Sequence, residues 1–157
     1  MQSRLDRLHL SKELQTGLAL GGDPEVVLPL IIEFLVQTSI FEPELVRLLH
    51  FGLLELGAVA ERVCRQQLVP IFQAISDYLG RCIRDGILRK GVDPALTTLS
   101  LATTILSHQS ASHLLLDSST PYSNTAEAIS VYSAFWLGAL MSDASAAAAT
   151  VAPSNGN

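Results

Sequence analysis

From Cys64 to Ile83 the chain carries one unbroken helical stripe. At about 100° per residue, Cys64, Leu68, Ile71, Phe72, Ile75, Tyr78, Leu79, Cys82 and Ile83 fall on one side. Gln66, Gln73, Asp77, Arg81 and Arg84 fall on the other. A strand would alternate every second residue, and this segment does not. A stripe of this width must be buried against neighbouring helices, so the segment commits the chain to helix packing. Asp77–Arg81 and Arg81–Asp85 have the spacing of supporting ion pairs on the wet face. Pro70 starts a new helix or kinks this one, and Gly86 and Gly91 bracket its end.

The rest of the chain reads the same way, and strand signals are scarce. Asp23-Pro24 and Asp93-Pro94 each set an N-cap residue before a proline at the first helical position, where the missing N–H costs nothing. Five or six helices result. The first runs from about Arg4 to Leu20 and is stopped by Gly21-Gly22; the string Gly17, Gly21, Gly22 follows no strand and lacks the Lys-Ser/Thr of a phosphate loop. The second runs from Pro24 to about Ser39, apolar around most of its circumference, and belongs in the middle of the fold. A third runs from Glu44 to about Leu56. The striped segment follows, then helices from Pro94 to about Leu116 and from near Asn124 to near Ser142. Asn124 and Glu127 have capping-box spacing.

Composition narrows the function classes. With 157 residues, 48% of them hydrophobic and a net charge of −5, the chain is one domain with a proper core. All ten Lys and Arg lie at or before Lys90. An acidic chain without a basic cluster is not expected to bind DNA directly. Two cysteines make no disulfide framework. The first residues have no apolar signal core, and the most apolar stretch, Val26 to Val36, is about half of what a bilayer crossing needs. The expectation is a cytoplasmic protein with no membrane partner.

No catalytic pattern stands out. The histidines are His9, His50, His108 and His113. His108 and His113 are five apart, about 140° around a helix, so they cannot share a metal from one helix. There is no GxSxG and no recognisable Ser-His-Asp set. No catalytic residue, metal site or cofactor is expected, and the chain does not read as an enzyme. Cys64 and Cys82 would stand about 27 Å apart along a continuous helix and read as small buried hydrophobes.

Glu33 and Gln37, one turn apart on an apolar helix, are the most informative polar pair. They form either a solvated strip or the polar side of a ligand cavity. In the second case Phe34, Phe41, Phe72, Ile75, Tyr78 and Leu99 supply its apolar wall, and His108 lines it or a subunit interface. Such a pocket suits a small hydrophobic molecule.

The last two helices each have two apolar faces. One carries Ala95, Leu99, Ala102, Leu106 and His113 against Leu101, Ile105, His108, Ser112 and Leu115; the other carries Ile129, Tyr132, Trp136 and Leu140 against Val131, Phe135, Gly138 and Ser142. A helix buried on both faces has two neighbours, so a second subunit is expected. Leu101, Ile105, Ser112, Leu115, Val131, Phe135, Gly138, Ala139 and Ser142 form the expected homodimer interface. Two helices from each subunit would make a dimeric four-helix bundle with two-fold symmetry.

Two blocks carry a family resemblance: Glu42-Pro43-Glu44-Leu45-Val46-Arg47-Leu48-Leu49, and Arg84-Asp85-Gly86-Ile87-Leu88-Arg89-Lys90-Gly91-Val92-Asp93-Pro94-Ala95-Leu96. With the amphipathic helix between them, they resemble the C-terminal regulatory domain of TetR-family transcription regulators. The second block is similar to the junction where a long helix ends and the first dimerisation helix begins. The resemblance covers about residues 23–142 and implies an all-α domain that senses a ligand and dimerises. Nothing like the family's helix-turn-helix precedes residue 23, so DNA binding is not carried over. On this reading residues 1–22 are a connecting helix, 23–143 the regulatory domain and 144–157 a flexible Ala-rich tail. The alternative is a stand-alone interaction module that heterodimerises with a full-length regulator.

Overall fold

A computed structural model describes residues 10–41, 46, 57–115 and 125–141, with the side chains at 59–60, 63–64 and 109–115 outside that description. Six helices are described: α1 Lys12–Leu20, α2 Pro24–Phe41, α3 Gly57–Gln67, α4 Val69–Arg84, α5 Pro94–Leu115 and α6 Thr125–Leu140. The described residues hold no strand, only an isolated antiparallel bridge between Leu88 and Met141. The fold is an all-α multi-helix bundle. The helix expected from Glu44 lies outside the described residues except for Val46, which is buried.

The starts follow their caps. Ser11 Oγ accepts the Leu14 N–H at 3.1 Å and caps α1, which begins at Lys12; the expected start at Arg4 lies outside the described residues. Asp23 and Asp93 cap α2 and α5 through their carboxylates, which accept the Glu25 N–H at 2.9 Å and the Leu96 N–H at 2.7 Å. The striped segment is two helices. It breaks at Leu68, with Pro70 at the second position of α4, where a proline is tolerated.

α2 lies at the centre, packed by α1, α5 and α6. Val27, Leu28, Ile31, Ile32, Leu35 and Val36 are all buried. The helix runs straight through Pro29 in sequence. That proline lacks the N–H that would otherwise bond the carbonyl of Glu25 in the first turn. At 18 residues α2 is longer than the apolar stretch suggested, and is long and apolar enough to cross a membrane, yet half of it is buried inside the bundle.

α4 packs on α5 and α1 and buries Ile75, Tyr78, Leu79, Gly80 and Cys82. The end of α6 is tied to the turn after α4. The Arg89 N–H donates to the Leu140 carbonyl at 2.9 Å, and Arg89 Nε donates to the Met141 carbonyl at 2.9 Å. These bonds satisfy carbonyls that a helix end otherwise leaves open.

Candidate functional site

Between α2, α4 and α5 lies a cavity of about 20 Å³. Phe34, Leu35 and Thr38 come from α2, Ile71, Phe72 and Ile75 from α4, and Thr98, Leu101, Ala102 and Leu106 from α5; Leu68 sits at its edge. Its two hydroxyls are already committed. Thr38 Oγ1 donates to the Phe34 carbonyl at 2.7 Å and Thr98 Oγ1 to the Pro94 carbonyl at 2.8 Å. The wall that remains is apolar. A space of this volume holds about one water, whereas pockets for drug-sized ligands run to roughly 300–1,000 Å³. A larger occupant needs the helices to part.

Only Phe34, Phe72 and Ile75 of the expected cavity residues line this space. Glu33 and Gln37 bond to each other, Gln37 Nε2 donating to Glu33 Oε1 at 3.0 Å on the open side of α2. That is the solvated-strip arrangement. Phe41 is 74% exposed and Leu99 points outward at 52%. The Tyr78 ring is fully buried, but its hydroxyl donates to the Gly22 carbonyl at 2.9 Å. His108 packs edge-on against Tyr132 with ring centroids 5.5 Å apart, joining α5 to α6.

The outward faces of α5 and α6 are further candidates, each with exposed apolar residues of its own. Leu96, Leu99, Val131 and Phe135 are exposed large apolar residues, and Ala134, Gly138 and Ala139 are exposed small ones. A Cβ placed on Gly138 would meet nothing within 4 Å. The two helices contain one charged residue between them, Glu127. Leu101 and Ile105 do not belong to these faces: they are buried in the protomer's own core at 0% and 1% exposure. The reason is that α5 packs on both α2 and α4, so its buried strip widens to take in Thr98, Leu101, Ala102, Ile105 and Leu106. What is left outward is the edge carrying Leu96 and Leu99. The side chains of Ser112 and Leu115, and all of Ser142, lie outside the described residues.

Burial pushes the Tyr78 hydroxyl and the Cys82 thiol above their ordinary pKa ranges. Both are therefore neutral at physiological pH. Among the described residues no group of three His, Cys, Asp or Glu side chains could hold a metal ion.

Sequence reasoning missed the contacts made by Tyr78 and Arg81. Arg81 was expected to pair with Asp77 and Asp85, but its guanidinium donates to the Leu18 carbonyl at the end of α1, while Asp77 accepts from Gln73 Nε2 at 2.9 Å. Nothing in the local pattern signals a partner 63 residues away. No protein-family model, no curated protein and no solved structure matches the chain.

Proposed function

We propose that this chain is the ligand-sensing and dimerisation domain of a TetR-like transcription regulator, paired with a second copy through the outer faces of α5 and α6. The carrying observation is the exposed apolar surface of Leu96, Leu99, Val131 and Phe135 on two helices that hold one charged residue between them. Monomers rarely leave large apolar patches open. A second copy brings an equally uncharged face, so pairing buries no unpaired charge. The open space beside Gly138 lets a partner helix approach closely. The block from Arg84 to Leu96, which carries the family resemblance, spans the end of α4 and the start of α5.

The cavity beside Phe72 is the seat of sensing in this reading. It admits a small apolar molecule once α4 and α5 part. Such a ligand acts only if it binds one arrangement of the helices better than the other. The reading places the chain in the cytoplasm and assigns it neither catalysis nor DNA contact; its net charge of −5 opposes the latter.

Phe135→Glu tests the pairing. The unmodified chain should run in solution at twice 16.9 kDa at tens of micromolar, and the variant should run as a monomer with helical content unchanged. A monomeric parent overturns the homodimer. If that monomer pairs with a full-length regulator, the chain is an interaction module instead.

A further inference from the structure

Two polar atoms are buried one turn apart on the inner side of α6. Ser133 Oγ and Trp136 Nε1 are both shut off from solvent, and neither has a hydrogen-bond partner among the described residues. Ser133 as a whole is 8% exposed, and Trp136 packs against the main core. Three positions apart, they share one face of α6 with the buried Leu140. A long side chain on a helix leans back over the preceding turn, which lays the Trp136 indole across the turn that carries Ser133. The helix opposite is α2, against which α6 makes its main packing.

Other buried hydroxyls in the bundle are satisfied locally. Thr38, Ser39 and Thr98 each donate to a carbonyl three or four residues back in their own helix, at 2.7, 2.7 and 2.8 Å. The same back-bond, to Ser130 or Ile129, is open to Ser133, and it does not make it. The chemistry of the pair defines what fits there. An indole N–H only donates and asks for an acceptor, whereas a hydroxyl both donates and accepts. A charged occupant does not fit. The only charge on α5 and α6 is Glu127, which is exposed, and the buried residues of α2 include none, so an ion would be buried without a counter-charge. Neither residue lines the cavity beside Phe72, so the two places are separate.

We propose that Ser133 and Trp136 form a binding site for one neutral, water-sized oxygen, which accepts the indole N–H and shares a hydrogen bond with the Ser133 hydroxyl. Buried water fills this role in many folds, making about three bonds to groups otherwise left open. The oxygen of a small carbonyl or hydroxyl compound has the same chemistry. The site lies within one protomer and stands whether or not two copies pair or the cavity takes a ligand.

The chain has one tryptophan, so a single indole N–H signal in the isotope-labelled full chain reports on the site. That signal should lie downfield, as for a bonded indole, and exchange slowly with solvent. A cross-peak to a long-lived water identifies the oxygen as water. A downfield signal without that cross-peak, lost after refolding from denaturant in plain buffer, identifies a small organic compound. Ser133→Ala should move the signal upfield and speed its exchange about fivefold. Ser130→Ala, on the exposed side of the same helix, brings the same gain in helix propensity and should leave the indole unmoved. Ser133→Ala should therefore melt below Ser130→Ala. An indole N–H that resonates as a free one overturns the proposal. A downfield signal that has no cross-peak and survives refolding means a protein acceptor and overturns it too. So does a signal that Ser133→Ala leaves in place, or a Ser133→Ala that melts as high as Ser130→Ala, because removing an unpaired buried hydroxyl costs nothing.

Discussion

A methyl group of Val27 sits 2.8 Å from where Gly17 would carry a Cβ, and 2.9 Å from the corresponding point on Gly22. The close approach of α1 to α2 therefore depends on both positions lacking a side chain. Gly17 stands inside α1, where alanine would favour the helix by about 1 kcal/mol. Overpacking costs about 1–3 kcal/mol, and Val27 is β-branched and 2% exposed, so it cannot swing aside. The clash wins. Gly17→Ala should lower stability by about 1 kcal/mol in denaturant melts. In a Val27→Ala background the same change should be neutral or stabilising, because the opposing methyl is gone. A stabilised single variant would refute the contact.

The stop at Gly21 was legible, because a glycine string after a leucine repeat has few other meanings. The contact with Val27 was not, since spacing along α1 says nothing about what crosses it. The same division runs through the bundle. α4 has one apolar face and one polar face, so its buried residues could be read from the stripe. α5 carries no charged residue and its apolar and small polar residues are spread around it, so the sequence could not say which face goes to its own core. Leu101 and Ile105 were assigned to a partner, and the packing of α5 on both α2 and α4 claims them instead. Of the residues expected around a cavity, Phe34, Phe72 and Ile75 line the small space between α2, α4 and α5. Phe41 was apolar but outward.

Alkaline pH should loosen the α1–α4 junction. Burial holds the Tyr78 hydroxyl and the Cys82 thiol above their ordinary values, so both keep their protons in the fold where the unfolded chain releases them. The unfolded state then binds fewer protons, and stability falls as pH rises. The contribution is fully present below about pH 8. It should decline from about pH 8.5 through cysteine ionisation and more steeply above about pH 10 through tyrosine. Denaturant melts across pH 7–11 check this. Tyr78→Phe should flatten the second slope and Cys82→Ala the first, and a parent with constant stability over that span contradicts both.

The cavity can be enlarged without introducing a polar group. Ile75 lines it and is 2% exposed, so Ile75→Ala removes methylenes from a wall that closes only in part. The expected cost is about 2–5 kcal/mol. An enlarged space walled by Phe, Leu and Ile stays dry and takes up a small apolar solute. Benzene should raise the melting temperature of Ile75→Ala and leave the parent unchanged, since about 20 Å³ is too little for it. No benzene effect on the variant would mean that the walls collapse together and that α4 and α5 do not hold an apolar occupant.

Leu99 and Leu101 are two positions apart on α5 and face opposite environments, 52% and 0% exposed. Substitutions there separate pairing from folding. Leu101→Ala should cost about 2–5 kcal/mol in melts that follow the fold itself, whatever the oligomeric state, because it opens a hole beside Ala102 and Leu106. Leu99→Glu should leave those melts within about 0.5 kcal/mol once extrapolated to low protein concentration, since surface changes away from special contacts are mild. Its effect should appear in mass instead. A carboxylate at this position would be buried without a partner in a pair, so Leu99→Glu is expected to shift the chain to monomer in sedimentation equilibrium at tens of micromolar. If Leu99→Glu pairs as tightly as the parent while Phe135→Glu does not, α6 alone forms the interface and α5 lies outside it.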